Sequence, residues 1–263
     1  IMSKLIIPKD YEPVLDLRDT EKAIRLIKEY FQVNLAAELN LFRVTAPLFV
    51  KSGTGINDNL NGTENPVSFK VKDVDNCDAE IVHSLAKWKR MALKDYGFYP
   101  GEGLYTDMNA IRTDEELDNL HSIYVDQWDW ERAISAKERS LDFLKYIVRK
   151  IYKALKKAER YVFQEYPDIE PILPKEIKFL FTEELEEKYP ELSPKERENK
   201  VTEEYGAVFL MGIGNALKNG LPHDGRSPDY DDWSTENSAG YKGLNGDILV
   251  WHPILDQAFE LSS

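Results

Sequence analysis

The run Ser122-Ile123-Tyr124-Val125-Asp126-Gln127-Trp128-Asp129-Trp130-Glu131 reads as a β-strand. Successive strand side chains point to opposite faces, so Gln127, Asp129 and Glu131 share one face. Gly103 to Arg112 is a second strand candidate. The polar link Thr113 to Asn119 joins the two, which predicts an antiparallel pair. A row of acids and an amide beside two tryptophans is too polar for a plain core strand. It suits a site that holds an ammonium group and a metal. It suits equally an edge strand with solvated charges. Arg112 ends the partner strand and can reach the same face.

Working outward, Thr20 to Asn40 predicts a helix, with Ala23, Ile24, Ile27, Phe31 and Leu35 at three- and four-residue spacing. Leu41 to Thr45 is strand-like, and Pro47 marks a strand end or edge. Asp58 to Pro66 is a loop rich in Asn, Gly and Thr, and Val67 to Val71 alternates like a strand. Ser84 is expected to N-cap a helix whose Leu85, Trp88 and Met91 face inward and which Gly97 closes. Ala133 to Glu165 reads as one long helix with a stripe of Leu141, Leu144, Val148, Ile151, Tyr152 and Leu155. A strand (Ile177 to Leu180), a charged helical region (Thr182 to Glu204) and a strand (Ala207 to Gly212) follow. Gly214 to Tyr241 is mostly loop, Ile248 to Trp251 a strand, and Phe259 to Ser263 the start of another. Strands and helices do not alternate strictly, so a doubly wound parallel sheet is not expected. The expected fold class is α+β, a mainly antiparallel sheet flanked by helices, in a single domain over residues 1–263.

The balance of 42% apolar and 31% charged residues is that of a soluble globular chain with a sizeable core. No apolar run is long enough to span a bilayer, and the start has no segment of signal-peptide length. The net charge of −13 argues against a broad nucleic-acid surface. The lone cysteine, Cys77, cannot form an internal disulfide, so the cytoplasm is the expected compartment. Its neighbours Asp75 and Asp78 make it a poor nucleophile and an ordinary surface or strand-edge residue. There is no P-loop pattern, and Gly212-Ile213-Gly214 lacks the third glycine of a dinucleotide fingerprint. His83, His121, His223 and His252 have no zinc-site spacing.

Three further groups of residues could carry chemistry. Lys87, Lys89 and Arg90 are local cations in an acidic chain, but Lys87 and Lys89 lie on different faces of a helix. A solvated basic face is the plainer reading. Arg226-Ser227-Pro228-Asp229-Tyr230-Asp231-Asp232-Trp233-Ser234 crowds Asp229, Asp231 and Asp232, which repel unless cations or donors hold them. A surface loop is the plainer reading. Asp247 opens one strand while Glu260 and Ser262 share the polar face of the next. Two such acids suit a Mg²⁺ site of oxygen ligands, or are simply hydrophilic strand ends.

These blocks resemble the ammonia-dependent asparagine synthetase (aspartate–ammonia ligase) family. The strings that carry the likeness are Asp58-Asn59-Leu60, Val82 to Arg90 (Val-His-Ser-Leu-Ala-Lys-Trp-Lys-Arg), and Gly101 to Thr106 (Gly-Glu-Gly-Leu-Tyr-Thr). Tyr124 to Arg132, Pro228 to Thr235 and Gly243 to Trp251 complete them, and the likeness runs from about residue 20 to the end. The resemblance implies the catalytic core of class II aminoacyl-tRNA synthetases, in a homodimer. The helix from Thr20 with the strand into Pro47 would be the first, dimer-forming motif, and the strand pair the second. The implied reaction takes aspartate, ammonia and ATP to asparagine, AMP and pyrophosphate through a β-aspartyl-adenylate, with Mg²⁺.

By the same resemblance, Asp58, Arg112 and Gln127 fall at catalytic positions. Ser84, Lys89, Asp129, Asp231 and Ser263 fall at positions that bind aspartate or asparagine. Arg112, Arg226, Asp247, Glu260 and Ser262 fall on the nucleotide side, with Asp247 and Glu260 facing the metal. No cysteine lies near the N-terminus to serve as a glutaminase nucleophile, so free ammonia is the expected nitrogen donor. The family continues beyond the final Ser-Ser with a third motif carrying an arginine, which leads to the expectation that this chain lacks that segment. The alternatives are a catalytically impaired, synthetase-like binding protein and an aspartyl- or asparaginyl-tRNA synthetase-like enzyme.

Overall fold

The computed structural model describes residues 5–58, 60, 64–227 and 231–263. Asn59 and Asp229, with the rest of 61–63 and 228–230, lie outside the described residues. In chain order the elements are α1 (Leu17–Leu39), β1 (Leu41–Arg43), β2 (Phe49–Lys51), β3 (Ser68–Val71), β4 (Cys77–Ile81), α2 (Ala86–Asp95), β5 (Gly103–Ile111) and β6 (Tyr124–Arg132). Then come a 3₁₀ turn (Ala136–Glu138), α3 (Leu141–Glu165), β7 (Lys178–Phe181), α4 (Thr182–Lys188), α5 (Pro194–Tyr205), β8 (Ala207–Met211), β9 (Gly246–His252) and β10 (Gln257–Ser262). They form two compact units. One is Leu39–Ser135 with residues 5 and 6; the other is Ile7–Glu38 with Ala136–Ser263.

In the first unit, β5 and β6 pair antiparallel from Ile111 opposite Tyr124 to Gly103 opposite Arg132, and β1 joins β5 in parallel. Gln127, Asp129 and Glu131 stand opposite Met108, Thr106 and Leu104. Part of that face is covered: Met108 and Ala110 pack with Val82 and Leu85, and Trp88 and Val125 close the cluster. On the other face Tyr105 and Trp128 stack with ring centroids 4.6 Å apart. The polar row and the stacked tryptophan thus divide between the two sides of one ribbon.

Gly103 is a point of close approach. A Cβ there would lie 2.3 Å from the Glu131 carbonyl oxygen and 2.7 Å from the Arg132 Cα. Gly103→Ala is therefore expected to cost about 1–3 kcal/mol in urea unfolding through overpacking, since the nearest neighbours are backbone.

Helix α2 departs from its expected form. Its N-cap is Leu85, which makes no side-chain cap bond. The Ser84 hydroxyl, one residue earlier, accepts from the Ala86 amide at 3.1 Å. Met91 is 47% exposed, while Leu85, Lys89 and Ala92 are buried. The inward stripe follows the four- and three-residue steps through Lys89, because that ammonium has a partner on β6. Gly97, at φ +72°, ends the helix as expected. The segment Cys77–Ile81, which reads as merely polar, is the central strand of a small sheet, β2-β4-β3. Lys70 meets Asp78 across it at 2.9 Å.

In the second unit the order is β10-β9-β8-β7, with only β7–β8 parallel. Leu185 and Val201 from α4 and α5 pack on Val208, Leu210 and Leu249 of the sheet. The charged helical region breaks at Ser193, whose hydroxyl and Glu196 form a capping box with Pro194 at the first turn of α5. Helix α3 begins at Leu141 rather than Ala133, because Ser140 caps it by accepting from the Phe143 amide at 3.3 Å. Tyr161 of α3 stacks on Tyr30 of α1 at 4.2 Å, and Glu38 takes Lys153 at 2.7 Å. Of the expected α1 stripe, Leu35 is buried, while Ile24 and Ile27 are 46% and 41% exposed.

Candidate active site

In the first unit the fold brings two of the expected residues, Lys89 of α2 and Asp129 of β6, into contact. Lys89 is 7% exposed, and its ammonium forms a short ion pair with Asp129, itself 8% exposed. Lys89 Nζ also donates to the Trp130 carbonyl at 3.0 Å and lies 3.8 Å from Glu131, which Arg90 approaches at 3.8 Å from solvent. Burial raises the Glu131 carboxyl, and the Lys89 and Arg90 charges oppose that shift without cancelling it. Gln127, on the same strand face, is exposed.

Arg112 takes an unexpected partner. Its Nε and Nη2 both donate to the His83 carbonyl, at 3.3 and 3.2 Å. His83 is fully buried, its amide donates to Asn57 Oδ1 at 2.8 Å, and its Nδ1 lies 3.2 Å from the Asp58 carbonyl. Asp58, 2% exposed, is thereby tied to the turn that leads into Ser84 and α2. His83 and Asn57 carry no signal in the sequence that marks them as site residues. Their link to Arg112 runs through a backbone carbonyl, which leaves no mark in residue type.

The second unit holds Arg226, Asp231 and Asp247. Arg226 pairs closely with Asp247 and lies 3.5 Å from Asp231. Asp247 and Glu260 stand on the paired strands β9 and β10. Asn245 links both sides of the Ile213 peptide, accepting from its amide at 3.1 Å and donating to its carbonyl at 2.8 Å. Asp232 is held by Arg139 at 2.7 Å. Glu260 and Ser263 are exposed and Ser262 is half-buried. Gly214, at φ +111°, has Trp233 where a Cβ would sit, 2.9 Å away, so the loop closes on itself only with glycine there.

Asp231 and Asp247 are both pushed up by burial, with Arg226 opposing each. For Asp247, Glu260 adds repulsion, and the carboxyl reaches about 7. Asp247 Oδ1 is buried with no hydrogen-bond partner. Its other oxygen, Oδ2, is the one that pairs with Arg226. Among the described residues no group of three or more His, Cys, Asp or Glu side chains is placed to hold a metal ion. Any cation here would rest on Asp247 and Glu260 with non-protein ligands.

A pH prediction follows from Asp247. The unfolded chain releases this proton near pH 4, the native chain near 7. In that window the native state holds more protons, so stability falls as pH rises. Asp247→Asn is expected to flatten the decline of the unfolding free energy from urea melts between about pH 4 and 7 by on the order of 1–4 kcal/mol. An unchanged slope would assign the titration to another group.

Two solved asparaginyl-tRNA synthetases share the fold. The one from Entamoeba histolytica has a TM-score of 0.55 at 12% identity, over 88% of this chain and 51% of that one. The one from Pyrococcus horikoshii, complexed with asparaginyl-adenylate, has a TM-score of 0.50 at 18% identity, over 88% and 51%. The architecture is thus that of class II aminoacyl-tRNA synthetases, as expected. Among curated sequences, the aspartate–ammonia ligase of Parabacteroides distasonis is 59% identical over 100% of this chain and 76% of its own length. Those of Bacteroides fragilis and Ruminiclostridium cellulolyticum are each 57% identical, over 76% and 75% of their lengths. The aspartate–ammonia ligase family profile matches residues 18–263. With this match and these identities, the chain belongs to the aspartate–ammonia ligase family and is an enzyme of that class.

Proposed function

We propose that the chain makes asparagine in two steps. The β-carboxylate of aspartate attacks the α-phosphate of ATP, releasing pyrophosphate and forming β-aspartyl-adenylate. Ammonia then attacks the acyl carbon, and AMP leaves. The observation that carries the reading is the buried Lys89–Asp129 pair with Glu131 beside it. Aspartate brings one ammonium and two carboxylates. A buried cation from α2 beside a buried anion of β6 offers the complementary pair, already ordered and shielded from water.

In the first unit, Lys89 takes a carboxylate of aspartate, Asp129 its ammonium, and Ser84 and Gln127 add hydrogen bonds. Arg112 stabilises charge on the α-phosphate as the bond to pyrophosphate breaks. In the second unit, Arg226 binds phosphate oxygens, and Asp231 and Ser263 bind the amino acid. Asp247, Glu260 and Ser262 line the nucleotide. The unpartnered Oδ1 of Asp247 beside Glu260 fits a hard divalent cation such as Mg²⁺. Bound there, Mg²⁺ would offset charge on the phosphates. The half-exposed Ile24 and Ile27 of α1 fit a contact with a second copy, and a single cysteine suits a reducing compartment such as the cytoplasm.

Asp58 holds ammonium and helps release its proton. Asp58→Asn is expected to keep aspartate-dependent exchange of pyrophosphate into ATP while asparagine formation falls by about 100-fold or more. Loss of both reactions together would remove Asp58 from the second step. A tRNA-charging reading has nothing in the chain to favour it beyond the shared fold.

A further inference from the structure

The loop between β8 and β9 is held from below by two buried carboxylates. Within it, Ala216 bridges Pro222, and the Leu217 amide donates to the Leu221 carbonyl at 2.9 Å, making a small hairpin. Glu186 of α4, 6% exposed, accepts from the amides of Lys218 at 2.9 Å and Asn219 at 3.1 Å. The residue that leaves the hairpin is His223. Its side chain is fully enclosed, and its Nε2 meets Glu198 Oε1 of α5 at 2.9 Å. The other oxygen of Glu198 takes Lys195 at 2.9 Å.

A carboxylate only accepts, so Nε2 carries the proton in this bond. Burial pushes the Glu198 carboxyl up, and the bonds from His223 and Lys195 more than reverse this, holding it below the usual carboxylate range. Beyond His223 the chain is exposed at Asp224 and Gly225, and then presents Arg226, which faces Asp231 and Asp247. His223 is the last enclosed anchor before that guanidinium. Between the two, the Gly225 amide donates to Asp224 Oδ1 at 2.7 Å, a bond within the loop itself, and glycine adds freedom.

We propose that His223 is a positioning residue: through Glu198 it fixes the loop that presents Arg226 to nucleotide phosphate. The proposal rests on Arg226 being a phosphate ligand, as assigned above. A guanidinium opposed by two carboxylates can serve a phosphate only if its backbone is held, because its own pairs otherwise draw it back. Buried supports of this kind set the geometry of the groups they hold.

The test compares His223→Asn with His223→Gln, with and without Arg226→Ala, in the whole chain. The glutamine amide nitrogen falls where Nε2 lies and keeps the bond to Glu198. The asparagine amide stops short of it. His223→Asn is expected to raise KM for ATP about 10–100-fold and to leave KM for aspartate unchanged, and His223→Gln is expected to restore most of the loss. In the Arg226→Ala background, His223→Asn should add nothing further, because it acts through that side chain. Should the asparagine variant not fold, Glu198→Gln, which weakens the same bond from the other side, must show the same selective rise. If Arg226→Ala alone leaves KM for ATP unchanged, the phosphate assignment is wrong. If Arg226→Ala raises it but the folded His223 or Glu198 variants do not, or their effects add independently, the positioning role is overturned.

Discussion

Lys89→Met is expected to lower kcat/KM for aspartate by about 10²–10³-fold, the loss seen when one preorganised charge partner is removed. It should also destabilise the chain by about 3–5 kcal/mol, since Asp129 would be left buried without its cation. Both effects have one cause. Lys89 and Asp129 are each less than a tenth exposed, so water cannot take over the role of the missing partner. Methionine fills the space of the lysine stem and removes only the charge. Removing both charges, as in Lys89→Met with Asp129→Leu, should recover much of the stability while activity stays lost. Steady-state kinetics and urea melts on the three variants separate the two effects. Recovery of activity in the double variant would show that neither charge touches aspartate.

Arg112→Lys is expected to lower kcat by about 10²-fold with KM for aspartate little changed, because the lost stabilisation belongs to the transition state. The charge is retained, so the loss isolates shape. Arg112 uses Nε and Nη2 on one carbonyl, that of His83. That fixes the plane of the guanidinium, and its Nη1 stays 3.9 Å from Glu115, beyond hydrogen-bond reach. A lysine cannot be held in this way and still present donors in a fixed plane. Pre-steady-state measurement of pyrophosphate release should show the loss in the first step. If asparagine formation slows while pyrophosphate release does not, Arg112 acts on ammonia attack instead.

Strand alternation in Tyr124–Arg132 was legible because one face carries short polar residues and the other large rings. The β5–β6 pairing followed from the polar link between two such runs. Cys77–Ile81 was not legible, because its alternation is short and its outward residues, Asp78 and Glu80, resemble a loop. The inward face of α2 was misread at Met91 because a lysine occupies the buried position, and its burial depends on Asp129, forty residues away. Among the candidate residues, Lys89, Asp129, Arg226 and Asp247 stood out by chemical type, and the fold pairs them. Contacts made through backbone, such as Arg112 on the His83 carbonyl, or between distant side chains, such as His223 with Glu198, left no such mark. Sequence patterns report type and spacing, whereas these contacts are made by the fold.

The central claim is that aspartate is activated as an adenylate, and oxygen transfer tests it most directly. Aspartate carrying ¹⁸O in its β-carboxyl group is incubated with the enzyme, ATP, Mg²⁺ and ammonium, and the products are weighed by mass spectrometry. The expected result is one ¹⁸O in AMP for each asparagine formed, with pyrophosphate unlabelled. Label in inorganic phosphate, with ADP as the nucleotide product, would contradict the account.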